Sequence, residues 1–357
     1  MNSNIKWLRD KIKLYNMQGM IISNPINIRY LTGIKAEGVL LITRKENFFI
    51  TDGRYIEEVN NIITIDDEII VMDIKNISSE DNENFFNFCE NVGFEENYIT
   101  YAKYKDYIQK YKINNFEETD LIIEKQRMIK DDEEIEKIKK ACKITDDCFE
   151  HLLEFIKIGM TEKEIALEIE NYFKSHGAEG NSFDPIVASG KNSSKPHAVP
   201  TDKKIESGDP ITIDFGCIYD GYCSDMTRTI FAGFVPDYAK SVYDLVLKNQ
   251  LQTTSELKDG ANIRTISKMV EGDFKLKGFD LIHSLGHGVG LEVHELPYIN
   301  GKVDKILKEK MVITNEPGIY IPNRFGVRIE DTILITQFGC ECLTKSNRNY
   351  VIIDKKD

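Results

Sequence analysis

Residues 211–229 read ITIDFGCIYDGYCSDMTRT, and residues 313–335 read ITNEPGIYIPNRFGVRIEDTILI. Each stretch places strand-like runs on either side of turn-forming residues, the pattern of a β-hairpin. In the first, a two-residue turn at Tyr219–Asp220 sets Asp214 directly opposite Asp225. A turn at Asp220–Gly221 sets the two aspartates two positions out of register instead. Side chains on a strand alternate faces, so either register leaves both aspartates on one face. In the second stretch, a loop centred on Pro322-Asn323-Arg324 places Glu316 opposite Glu330. Two carboxylates that close repel each other unless a cation lies between them.

Between the hairpins runs HSLGHGVGLEVHELP (283–297), which holds His283, His287 and His294. Glycines at 286, 288 and 290 suit a backbone that must pass close to something. A lone aspartate or glutamate in a strand is normally a solvated side chain. Here four of the chain's six histidines (197, 283, 287 and 294) fall within or just before the same run as the facing acids, which argues against that reading. Oxygen ligands with one imidazole favour a hard or borderline divalent ion, such as Mn²⁺, Co²⁺, Fe²⁺ or Zn²⁺. Four carboxylates carry more charge than one ion balances, so the pattern implies two ions roughly 3.5 Å apart that share bridging carboxylates. Asp214, Asp225, Glu316 and Glu330, with one imidazole from the run 283–294, are therefore read as one dinuclear site.

The bulk properties fit a folded protein. The chain has 357 residues, 41% of them hydrophobic and 29% charged, which is enough for two domains. A net charge of −13 offers no electrostatic footprint for nucleic acid. No apolar run approaches the roughly 20 residues needed to span a bilayer. The first 19 residues read as an amphipathic helix with Ile5, Leu8, Ile12 and Leu14 on its apolar side, without the features of a signal peptide. Seven scattered cysteines, an odd number, fit a reduced, cytoplasmic protein. Cys340 and Cys342 point the same way on a strand, in a structural role.

Upstream, GVLLIT (38–43), NFFITD (47–52) and EIIVMD (68–73) read as strands, and NENFFNFCENVGF (82–94) reads as a helix. The expectation is a mixed α/β domain over 1–124 and a second domain over 125–357. A long helix begins within 125–157, with Ile135, Ile138, Ala141, Ile144 and Cys148 at helical spacing. Thr161 with Glu164 forms a capping box for the next helix, which stops at Gly177. Two more helices are expected at about 237–256 and 262–275.

The motifs FDPIVASG, KPHAVP, DFGCIYDGYCSDMTRT, HSLGHGVGLEVHELP, NEPGIY and VRIEDT, in that order over 183–332, resemble the pita-bread metallopeptidases. That family comprises methionine aminopeptidase, aminopeptidase P, prolidase and creatinase. The segment NIRYLTGIKAEGVLLIT with TDGRY (27–55) resembles the N-terminal domain of the last three. The resemblance implies an α+β fold: a creatinase-like α/β domain, then a pita-bread domain with a curved antiparallel sheet and a pseudo-twofold relation between its halves. It places the metal ligands on Asp214, Asp225, His287, Glu316 and Glu330, with Asp225 and Glu330 bridging. It gives catalytic roles to His197, His294, Glu316 and Arg328, and lines the substrate side with His197, His283, His294 and Arg328. It implies two divalent ions per subunit, Mn²⁺ favoured over Co²⁺ or Zn²⁺, and a homodimer to which Arg54 and Tyr55 could contribute. Arg328 and the upstream domain disfavour methionine aminopeptidase, and the intact ligand set disfavours creatinase and metal-free, peptide-binding relatives. The expected activity is hydrolysis of the bond before proline in short peptides. Removal of the N-terminal residue (aminopeptidase P) is slightly favoured over cleavage of Xaa-Pro dipeptides (prolidase).

Overall fold

The computed structural model describes residues 3–63, 68–78, 85 and 91–354, and the chain divides into two compact units, Met1–Arg127 and Met128–Asp357. The first unit is built on a six-stranded sheet. Its strands are β1 (Gly19–Ile22), β2 (Gly38–Thr43), β3 (Asn47–Thr51), β4 (Ile69–Asp73), β5 (Asn91–Phe94) and β6 (Asn115–Glu118), in the order β4-β3-β2-β1-β5-β6. β1 is central and wholly buried, antiparallel to β2 and parallel to β5. Helices α1 (Ser3–Leu14), α2 (Pro25–Thr32), α3 (Ile56–Ile62), α4 (Tyr101–Tyr111) and α5 (Ile122–Arg127) accompany the sheet among the described residues. Ile5, Leu8 and Ile12 of α1 are buried as its spacing requires, but Leu14 at its end is exposed.

The helix expected over 82–94 is corrected where it can be described. Residues 82–84 and 86–90 lie outside the described residues, and 91–94 form strand β5. β5 is clamped between β1 and β6, where ladder bonds on both sides outweigh the local helical pattern.

The second unit opens with α6 (Asp132–Phe155), capped by Asp131 in a reciprocal box with Glu134. That box, a D-x-x-E signal inside a run of charge, starts α6 within the stretch where a long helix is expected. Next comes α7 (Glu162–Ser175), capped by Thr161 and Glu164 as expected. There follow β7 (Gly180–Asn181), β8 (Ile186–Ser189), β9 (Pro210–Phe215), β10 (Cys217–Tyr219), β11 (Tyr222–Cys223) and β12 (Met226–Ala232). After α8 (Asp237–Glu256) and α9 (Ile263–Leu276) come β13 (Gly286–Gly288), β14 (Glu295–Ile299), β15 (Val312–Asn315), β16 (Gly318–Ile321), β17 (Phe325–Arg328), β18 (Asp331–Ile335), β19 (Cys340–Cys342) and β20 (Ile352–Ile353). Each half thus runs helix, helix, then strands that pair antiparallel, apart from β20, which runs parallel to β12. β8, β9 and β12 belong to one sheet, and β13, β15 and β18 to another.

Strand parity organises both halves. Ile211, Ile213 and Phe215 of β9, with Met226 and Ile230 of β12, pack under α6 and α7. Ile313, Ile319, Val327, Ile329, Ile333 and Ile335 pack under α8 and α9. The alternate positions carry the polar side chains to the opposite faces, where the two hairpins bond to each other. The Glu330 amide donates to Thr227 O at 3.1 Å, and Thr229 Oγ1 donates to Arg328 O at 2.9 Å.

Arg228 fastens this junction to the C-terminal segment. Its guanidinium is buried and donates to the Thr227, Glu330, Ser346 and Asn347 carbonyls and to the Asp331 carboxylate. Burial alone would raise the Asp331 carboxyl, but Arg228 and Arg348 hold it below its usual value. A carboxyl lowered on folding stabilises fully above its unfolded value of 3.8, and that contribution is lost as pH falls through the folded one. Arg228→Met, which leaves Asp331 with fewer partners, is expected to cost about 3–5 kcal/mol in denaturant unfolding. A loss below about 1 kcal/mol, the range of a surface pair, would contradict this role.

Candidate metal centre

The first hairpin turns at Asp220–Gly221, both with positive φ (45° and 81°), and pairs Tyr219 with Tyr222 and Asp214 with Thr227. This is the second of the two registers considered from sequence, so Asp225 is a diagonal neighbour of Asp214 on the same face. The second hairpin pairs Ile321 with Phe325 around the expected loop, and Gly318 with Arg328. Asn315 pairs with Asp331 on the far side of Glu316 and Glu330, so one register runs past that facing pair.

His287 comes from β13, which is wedged between β14 and β15. A Cβ on Gly286 or Gly288 would lie 2.1 Å from the carbonyl oxygen of Thr314 or Leu296, so only glycines let β13 fit there. All five expected ligands line one cavity of about 570 Å³. Asp214, Asp225, His287 and Glu330 are buried, and Glu316 is half-buried. Ligand atoms of Asp225, His287 and Glu330 lie within 4.8 Å of one another.

The protonation pattern is that of a cation site. His287 Nδ1 lies 3.0 Å from Gly288 O, and a carbonyl only accepts, so Nδ1 carries the proton. Burial, with the His294 ring beside it, pushes His287 down to about 4, so the imidazole is neutral near pH 7. Its Nε2 therefore presents a lone pair to Asp225 Oδ2 and Glu316 Oε1, each 3.5 Å away. Burial and the neighbouring acids raise Asp225 and Glu330 well above the usual carboxylate range, and burial pushes Glu316 up to about 8. Asp214 Oδ1 and Asp225 Oδ1 are buried without a hydrogen-bond donor. Carboxyl groups crowd together here out of water, and a divalent cation would offset the repulsion and burial that raise them.

The other expected residues surround this cluster. Arg328 is buried, donating from Nη2 to Asp214 Oδ2 at 2.5 Å, from Nε to Thr227 Oγ1 at 3.0 Å, and from Nη1 to Pro196 O and the Tyr320 hydroxyl. His283 Nδ1 donates to Ser284 O at 2.7 Å, and Nε2 accepts from the Tyr320 hydroxyl at 3.0 Å. His294 stacks edge-on against His287 with ring centroids 4.3 Å apart, and His197 lines the cavity on a loop. The apolar wall is formed by Phe183, Pro185, Ile186, Ala198, Val199 and Pro200.

Sequence reasoning missed Tyr320, Thr227 and Thr332. Tyr320 links Arg328 to His283, and Gly318 leaves room for it, since a Cβ there would meet the Tyr320 hydroxyl at 2.6 Å. Thr227 Oγ1 donates to Glu330 Oε2 at 2.6 Å, and Thr332 Oγ1 donates to the Asp225 carbonyl at 2.7 Å. Strand parity contains the signal: Tyr320 shares the face of Glu316, and Thr227 that of Asp214.

The comparisons with known proteins agree with this geometry. Residues 136–337 match the model of metallopeptidase family M24, and residues 5–129 match that of the creatinase/prolidase N-terminal domain. An Xaa-Pro dipeptidase of Pyrococcus furiosus is 37% identical over 335 residues, covering 92% of this chain and 94% of that protein. The solved structure of an Xaa-Pro dipeptidase from Bacillus anthracis superposes with a TM-score of 0.92 at 37% identity, over 98% of this chain and 99% of that one. An X-Pro aminopeptidase from Thermotoga maritima superposes with a TM-score of 0.87 at 33% identity, over 96% of this chain and all (100%) of that one. The creatinase-like and pita-bread architecture expected from the motifs is the one observed.

Asp225→Asn and Glu330→Gln should each remove metal binding and peptidase activity together. Saturating Mn²⁺ should raise the Tm of the wild-type protein through preferential binding to the folded state, and leave both variants unmoved. Removing one of several mutually repelling carboxylates should not lower the Tm of the metal-free variants below that of the metal-free wild type. Full activity or an undiminished Mn²⁺-induced rise in either variant would exclude these residues as ligands.

Proposed function

Because the chain belongs to metallopeptidase family M24, with a creatinase/prolidase N-terminal domain ahead of its catalytic one, we propose that it hydrolyses Xaa-Pro dipeptides, the reaction of a prolidase. The observation that carries this reading is the complete ligand set in one cavity, with His197, His283, His294 and Arg328 around it. The dipeptidase assignment rests on near full-length similarity to proteins named Xaa-Pro dipeptidase. It replaces the aminopeptidase P activity favoured from the motifs.

Asp214, Asp225, His287, Glu316 and Glu330 would hold two divalent ions. Mn²⁺ suits a set of four carboxylates and one imidazole. When bound, the ions would polarise the scissile carbonyl and make water a competent nucleophile at neutral pH. The protein's own groups do the rest. His197 lies open to the cavity and donates to the carbonyl oxygen as negative charge develops there. Glu316, whose Oε2 is 3.9 Å from His283 Nδ1, moves the proton toward the departing proline nitrogen. Arg328 braces Asp214 and, through Tyr320, fixes the His283 ring. His294 closes the proline side. A cytoplasmic setting and a homodimer belong to the same proposal, resting on free cysteines among the described residues and on the family resemblance.

One observation favours the aminopeptidase as the second reading. Among the described residues lining the cavity, Arg328 is the only lysine or arginine, and Asp214, Tyr320, Thr227 and Pro196 already engage it. The free carboxylate of a dipeptide would have to meet a histidine or displace one of these contacts. Mn²⁺-loaded protein should cleave Ala-Pro with kcat/KM at least about tenfold above that for Ala-Pro-Ala. The reverse order would establish the aminopeptidase. His197→Ala should lower kcat by about 10²-fold with metal content unchanged. An unchanged kcat would remove His197 from the mechanism.

A further inference from the structure

The loop that carries His197 into the cavity begins at the end of β8 and returns beside the N-terminus of α7. Both of its ends are tied to one carboxylate that no catalytic step uses. Glu162, in the first turn of α7, is completely buried. Its Oε1 accepts from the amide and hydroxyl of Ser189, at 2.6 and 2.9 Å. Its Oε2 accepts from the amide and hydroxyl of Thr201, at 2.9 and 2.7 Å, and from Asn192 Nδ2 at 2.8 Å. The same Asn192 nitrogen reaches the carbonyl of Val199, two residues beyond His197, at 3.3 Å. Backbone bonds from Glu162 N to Lys203 O and from Lys163 N to Thr201 O hold the returning chain against the helix.

A buried carboxylate is retained only where its charge is fully met by donors, and here every donor side chain and amide comes from the loop bases or the loop itself. The helix N-terminus adds a favourable field for the anion. Between the tied ends lie Pro196, His197, Ala198, Val199 and Pro200, all lining the cavity, with His197 and Val199 exposed. This segment has no helix or strand of its own to fix it.

We propose that Glu162 is a positioning residue for the peptidase reaction, holding the ends of the 190–200 loop so that the His197 ring stands at the scissile carbonyl. The proposal rests on the role given to His197 above. Glu162→Gln keeps the shape of the side chain but removes the charge and the acceptor capacity of one oxygen. It should bind as much Mn²⁺ as the wild type and unfold cooperatively. Its kcat on Ala-Pro should fall about 10–100-fold, more than KM changes, as expected for a misplaced catalytic group.

Two further readouts separate positioning from a general loss of structure. Hydrogen exchange should quicken at amides of 189–201 and stay unchanged at β9, β12 and β18. In a double-mutant cycle, Glu162→Gln should add less than about twofold to the loss caused by His197→Ala, since both act through one ring. Unaltered exchange in the loop, or losses that multiply, would overturn the proposal. An active His197→Ala enzyme would defeat the His197 reading itself, visible in that single variant, and the proposal with it. If Glu162→Gln does not fold, Thr201→Val removes one donor and keeps the charge. The same non-additivity with a smaller loss is expected of it, and multiplying losses would again refute the assignment.

Discussion

A neutral imidazole whose unprotonated nitrogen faces two buried carboxyl groups needs either protons on those acids or a cation among them, and only the cation also relieves the repulsion between the acids. His287 is in that position. Its Nδ1 is committed to the Gly288 carbonyl, and its Nε2 faces Asp225 and Glu316. The arrangement costs the fold something at every level. β13 must be threaded between neighbours so close that Gly286 and Gly288 admit no side chain. The carboxyls of Asp225 and Glu330 are driven far up by burial and by the neighbouring acids. Such a cluster is a liability in a metal-free protein and an asset in a loaded one.

The scaffold answers with rigidity outside the ligand set. Both hairpins bury their apolar faces under helix pairs, so neither can shift register without exposing a row of isoleucines. Arg228 and Asp331 lock the junction of the hairpins from behind with buried, fully bonded charge. In front, Arg328 and Tyr320 stiffen the cavity wall that carries His283, and Glu162 gathers the loop bearing His197. The residues that would do chemistry are therefore held in place by a shell of bonded neighbours.

Much of this was legible in the sequence because strand parity survives uncertainty in register. Asp214 and Asp225 share a face whichever turn forms, and the facing of Glu316 and Glu330 follows from one loop centre. The identity of the ligands and helpers came from motif resemblance, not from spacing. Tyr320 escaped notice although it lies within NEPGIY, because an aromatic residue in a strand ordinarily signals core. Glu162 escaped because its sequence context is that of helix capping, and only the folded loop reveals that its carboxylate is occupied elsewhere. The strand at 91–94 was misread because Asn91-Val-Gly-Phe has little strand character alone and is imposed by its neighbours in the sheet. The start of α6 was hidden by charge, although Asp131 and Glu134 spell a capping signal.

The most direct test of the metal centre is anomalous diffraction from crystals grown with Mn²⁺, measured at the manganese absorption edge. Two peaks should appear inside the cavity, a few ångströms apart. Asp225 and Glu330 should lie between them, and Asp214, His287 and Glu316 should each be in ligand contact with one. No peak among these five residues, or ordered manganese only elsewhere on the molecule, would contradict the assignment.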